Sequence, residues 1–144
     1  MEATLAHVTA TWDRQRENSA IYSLLLEKID IYYAENGLVR ARLPIQPLHV
    51  NSKGTLHGTL SACLVDWAAG MAIASTGPST TGVSTDLSVS YLSTAKAGDI
   101  LEIEGRALKI GKTLAFTRVA VGKSVEGGKS IPVVEGSHTK YVKQ

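Results

Sequence analysis

Hydrophobic and polar positions change rhythm three times along the chain. From Ala3 to about Arg16, Leu5, Val8 and Trp12 recur at roughly helical spacing, and Ser19 to Leu26 predicts a short second helix. The pattern then turns β-rich. EKIDIYYAE (27–35) and LVRARLPI (38–45) flank Asn36-Gly37, a dipeptide suited to the positive φ angles of a tight hairpin. Pro44 and Pro47 close the second strand and open a loop towards His57.

The stretch from Gly58 to Thr76, GTLSACLVDWAAGMAIAST, predicts a helix that is apolar on nearly every side. After it VSTDLSVSY (83–91) alternates, with Val83, Thr85, Leu87, Val89 and Tyr91 on one face and Ser84, Asp86, Ser88 and Ser90 on the other, which predicts a half-buried strand. Further strands are expected at ILEIEGRALKI (100–110), TLAFTRVAV (113–121) and about PVVEGSHTKYV (132–142), joined by turns at Gly111-Lys112 and Gly127-Gly128. A helix with so little polar surface needs covering. The order of elements therefore predicts one α+β domain spanning 1–144, a curved antiparallel sheet wrapped around one long central helix, with the helical segment 1–26 packed on it.

At 144 residues the chain is long enough to bury a core without disulfides or structural metals. Fifteen basic and 13 acidic residues leave a formal charge of +2, so bulk charge points to neither nucleic acid nor a membrane surface. Cys63 is the one cysteine, which excludes an intramolecular disulfide, and its place in the apolar helix reads as a buried small hydrophobe. No apolar signal-peptide core marks the first residues, and Asp66 interrupts the only candidate membrane span. A cytoplasmic protein is expected, and Glu2 and Asp13 argue against a mitochondrial leader without excluding that compartment.

Asp66 is the single charged residue between Gly58 and Thr76. An unpaired carboxylate in apolar surroundings costs several kcal/mol, so it is expected at an edge of the helix–sheet packing or at a subunit boundary, where the small neighbours Ala62, Ala69 and Gly70 leave room for a ligand or another chain. Asn51, Gly54, His57 and Gly58 crowd the start of the same helix, with Thr59 in its first turn. Free N–H groups there, backed by the helix dipole, suit an oxygen that carries negative charge.

NSKGTLHGTLSACLVDWAAG, GVSTDLSVSYLSTAKAGD, KIGKTLAFTRVAV and HTK together resemble the hotdog-fold acyl-CoA thioesterases of the phenylacetate-pathway type, over roughly Asn51 to Tyr141. The resemblance implies a hotdog subunit that forms a homodimer and a homotetramer as a dimer of dimers, with active sites at the interface and acyl-CoA as the substrate. It implies Asp66 as general base or nucleophile, facing the Gly58 amide across the interface. Asn51 would hold the thioester or water, His57 would adjoin the oxyanion contact, and Ser84 would orient water. For coenzyme A it points to Asp86, Tyr91, Lys96, Lys109, Gly111, Lys112, Thr113 and Tyr141, the lysines meeting phosphates. No cofactor beyond the coenzyme A of the substrate, and no metal, is implied. Thr59 and Trp67 depart from the family pattern and are expected to alter the acyl pocket, and the hairpin around 124–130 reads as slightly long.

The residues themselves agree with that chemistry and add a constraint. Thioester hydrolysis needs charge stabilisation at the carbonyl oxygen and an activated water or carboxylate nucleophile. Gly58 and Asp66 lie about 12 Å apart along one helix, too far to act on one carbonyl, so a second copy must supply one of them. Plainer explanations stand beside each assignment: an ion-paired structural acid at Asp66, a helix cap at His57, an Asx turn at Asn51, solvated lysines at 96, 109 and 112, and an ordinary exposed serine at 84 unless a bulge turns it inward. GRALKIGKT is no phosphate loop, because Gly105 and Gly111 enclose five residues and a strand follows. Neither a nucleophile elbow nor a histidine spacing fit for metal is present, and the competing function is a non-catalytic acyl-CoA or lipid-binding hotdog module.

Overall fold

The computed structural model describes residues 1–143. Helices α1 (Glu2–Asn18) and α2 (Ala20–Leu25) precede the hairpin β1 (Asp30–Glu35) and β2 (Leu38–Pro44). A short 3-10 turn, Pro47–His49, leads to α3 (Gly58–Ala74), and β3 (Val83–Tyr91), β4 (Ile100–Ile110), β5 (Leu114–Ser124) and β6 (Ser130–Tyr141) follow. All six strands join one antiparallel sheet in the order β1-β2-β4-β5-β6-β3. The expected α+β architecture, a hotdog around its helix, is the one observed.

α3 has no polar face because it meets protein on nearly every side: β2, β4, β5, β6 and β3 curl around it and α1 covers its back. Leu60, Leu64, Val65, Trp67, Ala68, Met71 and Ile73 are all 2 % exposed or less. Small residues set how closely the layers approach. A Cβ on Gly105 of β4 would stand 2.5 Å from the Ala68 carbonyl oxygen, so only glycine lets the strand lie on the helix backbone there.

Aromatic rings fix the N-terminal segment in place. Trp67 points from α3 into α1 and meets Trp12 edge-to-face at 5.5 Å, and Trp12 meets Tyr22 of α2 in the same manner at 5.6 Å. Each such pair contributes about 1 kcal/mol beyond the area it buries. Arg16 lies over the Trp12 ring at 4.6 Å and reaches the carbonyls of Leu26 and Glu27. Trp67 was expected to shape an acyl pocket. Instead it is 1 % exposed and seats the N-terminal helices.

Four expectations need correction. Strand β1 begins at Asp30, because the chain turns after α2 with Ile29 N–H on the Leu26 carbonyl. Gly37 has φ 87°, but Asn36 stays out of the positive-φ region, so the hairpin is not built on two left-handed residues. β3 is not half-buried: Val89 alone is partly covered, since β3 is the sheet's edge and a bulge between Ser84 and Asp86 breaks its alternation. Cys63 is half-buried rather than buried, and of the small neighbours of Asp66, Ala69 and Gly70 are fully covered within the chain while Ala62 is partly exposed. Among the described residues, no helix is long and apolar enough to cross a membrane.

Candidate active site

Two features of α3 face the open edge of the sheet. At its start His57 is the N-cap, with Nδ1 accepting from the Thr59 N–H at 3.0 Å, while Leu60 and Ser61 donate to the His57 carbonyl. Among the described residues the Gly58 N–H has no protein acceptor, so the amide at the positive end of the helix dipole is free to donate. The Tyr91 hydroxyl donates to the Gly58 carbonyl at 3.2 Å. Tyr91, expected at coenzyme A, thus stands against the amide-bearing residue itself.

Asn51 shapes the loop before this helix. Its Oδ1 accepts from the N–H groups of Lys53 and Thr55, and its Nδ2 donates to Thr55 Oγ1 at 3.0 Å, an Asx turn of the kind the sequence allowed. Lys96 joins the same loop through a bridge to Thr55, beside the Leu56 N–H bond to Ala95.

Two turns along α3, Asp66 meets a polar environment. Its side chain is 36 % exposed and borders an open cleft of about 390 Å³ with Tyr22, Ser84 and Lys140 among its walls. Tyr22 Oη donates to Oδ2 at 2.7 Å. Oδ1 lies 3.7 Å from Nδ1 of the fully buried His138, close enough for charge to be felt but too far for a hydrogen bond. The other ring nitrogen, Nε2, is 2.7 Å from Ser84 Oγ.

The bulge explains how Ser84 arrives there. β6 turns Val134, Gly136, His138 and Lys140 towards the helix, and β3 residues opposite them share that face: Tyr91, Val89, Leu87 and, past the bulge, Ser84 opposite Lys140. Without the extra residue Ser84 would point outwards with Asp86, Ser88 and Ser90. Asp86 remains on the exposed face, although its charge still reaches His138.

Burial and neighbouring charge tune these groups. His138 is held below the usual histidine range by burial and then by Lys140, against the opposing pull of Asp66 and Asp86. Burial also lowers the Lys140 ammonium, which Asp66 pulls back up. Tyr22 is driven upward by burial, by the charge of Asp66 and by its bond to it, so the phenol stays protonated and donates. The Cys63 thiol is pushed up to about 12 by burial and by Asp66, which disarms it as a nucleophile.

The remaining expected residues gather at the end of the sheet where β3 begins, the Ser84 end. Lys109 lies near the end of β4, Gly111, Lys112 and Thr113 form the turn to β5, and Leu114 pairs with Tyr141 while the Val142 N–H donates to the Thr113 carbonyl. Lys96 and Tyr91 are not part of this cluster, so the expected coenzyme A residues fall into two groups at opposite ends of β3. Tyr22, His138 and Lys140 were not assigned roles from the sequence. In β6 the signal was present as two polar residues in step with core positions Val134 and Gly136, whereas Tyr22, on a two-turn helix, carried none.

Comparison with known proteins agrees with this arrangement. Residues 53–141 match the family model described as Thioesterase superfamily. Human acyl-coenzyme A thioesterase 13 is 38 % identical over 121 residues, 84 % of either chain. The crystal structure of zebra fish thioesterase superfamily member 2 superposes with TM-score 0.83 at 34 % identity, covering 95 % of this chain and 96 % of that one. A hypothetical thioesterase from Streptococcus pneumoniae, solved with coenzyme A, gives TM-score 0.78 at 25 % identity over 90 % of this chain and 95 % of its own. By sequence, by fold and by the match across α3 to β6, the chain belongs to the thioesterase superfamily and is a hotdog thioester hydrolase.

Proposed function

We propose that this protein hydrolyses acyl-CoA thioesters at sites formed between two copies, with Asp66 as general base and the backbone amide of Gly58 of the partner subunit as the oxyanion donor. The observation that carries the proposal is the position of both groups along the unpaired edge strand. Ser84, beside Asp66, sits at one end of β3, and Tyr91, on Gly58, sits at the other. Antiparallel pairing of β3 with its own copy about Leu87 brings the Ser84 end of one protomer to the Tyr91 end of the next. That two-fold joins acid to amide, which a single helix keeps about 12 Å apart.

In this reading Asp66 Oδ1 takes a proton from water as the water oxygen attacks the thioester carbonyl carbon. The carbonyl oxygen gains charge against the Gly58 N–H, and the tetrahedral intermediate collapses by expelling the coenzyme A thiolate. Ser84, held by the buried His138, orients the water. The Tyr22 bond occupies Oδ2 and reduces the carboxylate's nucleophilicity, which favours general-base over covalent catalysis. Lys96 at one end, and Lys109 with Lys112 at the other, supply cations for the coenzyme A phosphates, and Tyr141 and Thr113 border the second group.

The test is thiol release from a panel of straight-chain and aromatic acyl-CoA substrates, followed with a thiol reagent. Wild-type protein should turn over members of the panel, and Asp66→Ala should remove nearly all of that rate. Binding of acyl-CoA without thiol release would instead identify a ligand-binding hotdog module.

A further inference from the structure

The N-terminal helices reach the catalytic acid directly. Tyr22 Oη is 2.7 Å from Asp66 Oδ2, and every part of Tyr22 is held. Its backbone N–H is capped by Ser19 Oγ at 3.2 Å, its ring stands edge-on to Trp12, and Trp12 rests on Trp67, the residue next to Asp66 in sequence. Ser23 Oγ donates to the Arg16 carbonyl, and His49 Nε2 lies 2.7 Å from the Leu25 carbonyl, which pins α2 from both sides. The loop of contacts leaves α3 at Trp67, passes through α1 and α2, and returns at Asp66.

We propose that Tyr22 is a positioning residue for the reaction, holding one oxygen of the Asp66 carboxylate so that the other is presented to water. The inference rests on the reading of Asp66 as general base. A carboxylate that turns freely about its last torsion offers either oxygen at any angle, and much of the advantage of a placed base is lost. A donor fixed on Oδ2 removes that freedom. The other groups facing Asp66 do not fix it in place. His138 is beyond hydrogen-bond distance, Lys140 of β6 acts on it through charge, and Cys63 on α3 is a protonated thiol.

Tyr22→Phe keeps the ring and its packing on Trp12 and removes one hydroxyl. The expected result is a fall in kcat of about tenfold at neutral pH, with KM for acyl-CoA within about twofold of wild type. Because the ring and its packing on Trp12 remain, a fall in kcat at unchanged KM is a split that lost packing would not produce. An unchanged kcat, in a background where Asp66→Ala abolishes turnover, would overturn the role of Tyr22 and leave the function standing. Should Asp66→Ala leave turnover intact, the assignment of the base fails and this inference with it. The contact itself is read without turnover by a thermal-denaturation cycle: Tyr22→Phe should lower Tm in the wild-type background and not in the Asp66→Ala background. Equal Tm losses in both would overturn the bond.

Discussion

Ser84 and His138 meet at 2.7 Å because β3 carries one residue more than β6 between Ser84 and Asp86. The extra residue turns a serine that strict alternation would send to solvent into the partner of a fully buried imidazole. Replacing Ser84 by alanine leaves His138 Nε2 without its partner, which costs about 1–3 kcal/mol if no water takes its place. Turnover should fall about tenfold or more, and melting temperature should fall with it. A variant with wild-type kcat and Tm would show that the contact supports neither water nor fold.

The pairing of Gly105 with Ala68 predicts a purely structural defect. Gly105→Ala places a methyl 2.5 Å from a helix carbonyl oxygen, and neither backbone can yield without disturbing the other strands packed on α3. Overpacking of this kind costs about 1–3 kcal/mol or more. Denaturant titration should find the midpoint lowered, while protein that remains folded keeps its KM.

β3 tests the assembly. Leu87 is 41 % exposed at the middle of the edge strand, opposite His138 on the inward face. Pairing two β3 strands about this position sets the two Leu87 side chains close together, and Leu87→Asp sets two like charges there instead. Light scattering should find the variant shifted to monomer, with thiol release lost in the same samples although Asp66, Gly58 and Tyr22 are all intact. A monomer that retains full activity would remove the need for a second copy.

Much of this was legible in the chain. Alternation gave the strands, and an all-apolar helix required a sheet to wrap it. Asp66 and Gly58 followed from a charge in the wrong place and a helix start rich in small residues. Tertiary geometry supplied the rest. The bulge at Ser84 depends on how β3 meets β6, the exposure of β3 on its place at the sheet edge, and the Tyr22 bond on the approach of two helices that share no pattern with α3. Trp67 read as pocket lining because sequence does not tell which side of a buried helix a ring faces, and it faces Trp12.

His49 predicts how stability depends on pH. Its Nδ1 accepts from the Gln46 N–H at 3.0 Å, so its Nε2 must carry the proton donated to the Leu25 carbonyl at 2.7 Å. Only the neutral ring can satisfy both, and burial lowers its pKa below the usual 6.5 while the Leu25 bond opposes that shift. The unfolded chain therefore binds the proton more readily. The stabilisation is fully present above about pH 6.5 and is lost as pH falls from there through the lowered folded-state value. His138, lowered in the same direction, adds to the slope. Melting temperature measured from pH 7.5 down to 5 should decline, and His49→Gln should flatten part of that decline. An identical slope in the variant would exclude His49 as a contributor.

Asp66 separates catalysis from stability when two replacements are compared. Asparagine keeps an oxygen for Tyr22 Oη and removes a charge from a partly buried site, so Asp66→Asn should be as stable as wild type or more so. Alanine removes the acceptor as well, leaving a half-buried phenol without its partner, and should cost about 1 kcal/mol relative to asparagine. Neither replacement can take a proton from water, so both should lose nearly all turnover. Loss of activity in proportion to loss of Tm would mark Asp66 as a structural acid. Equal inactivity at unequal stability is the outcome that a general base requires.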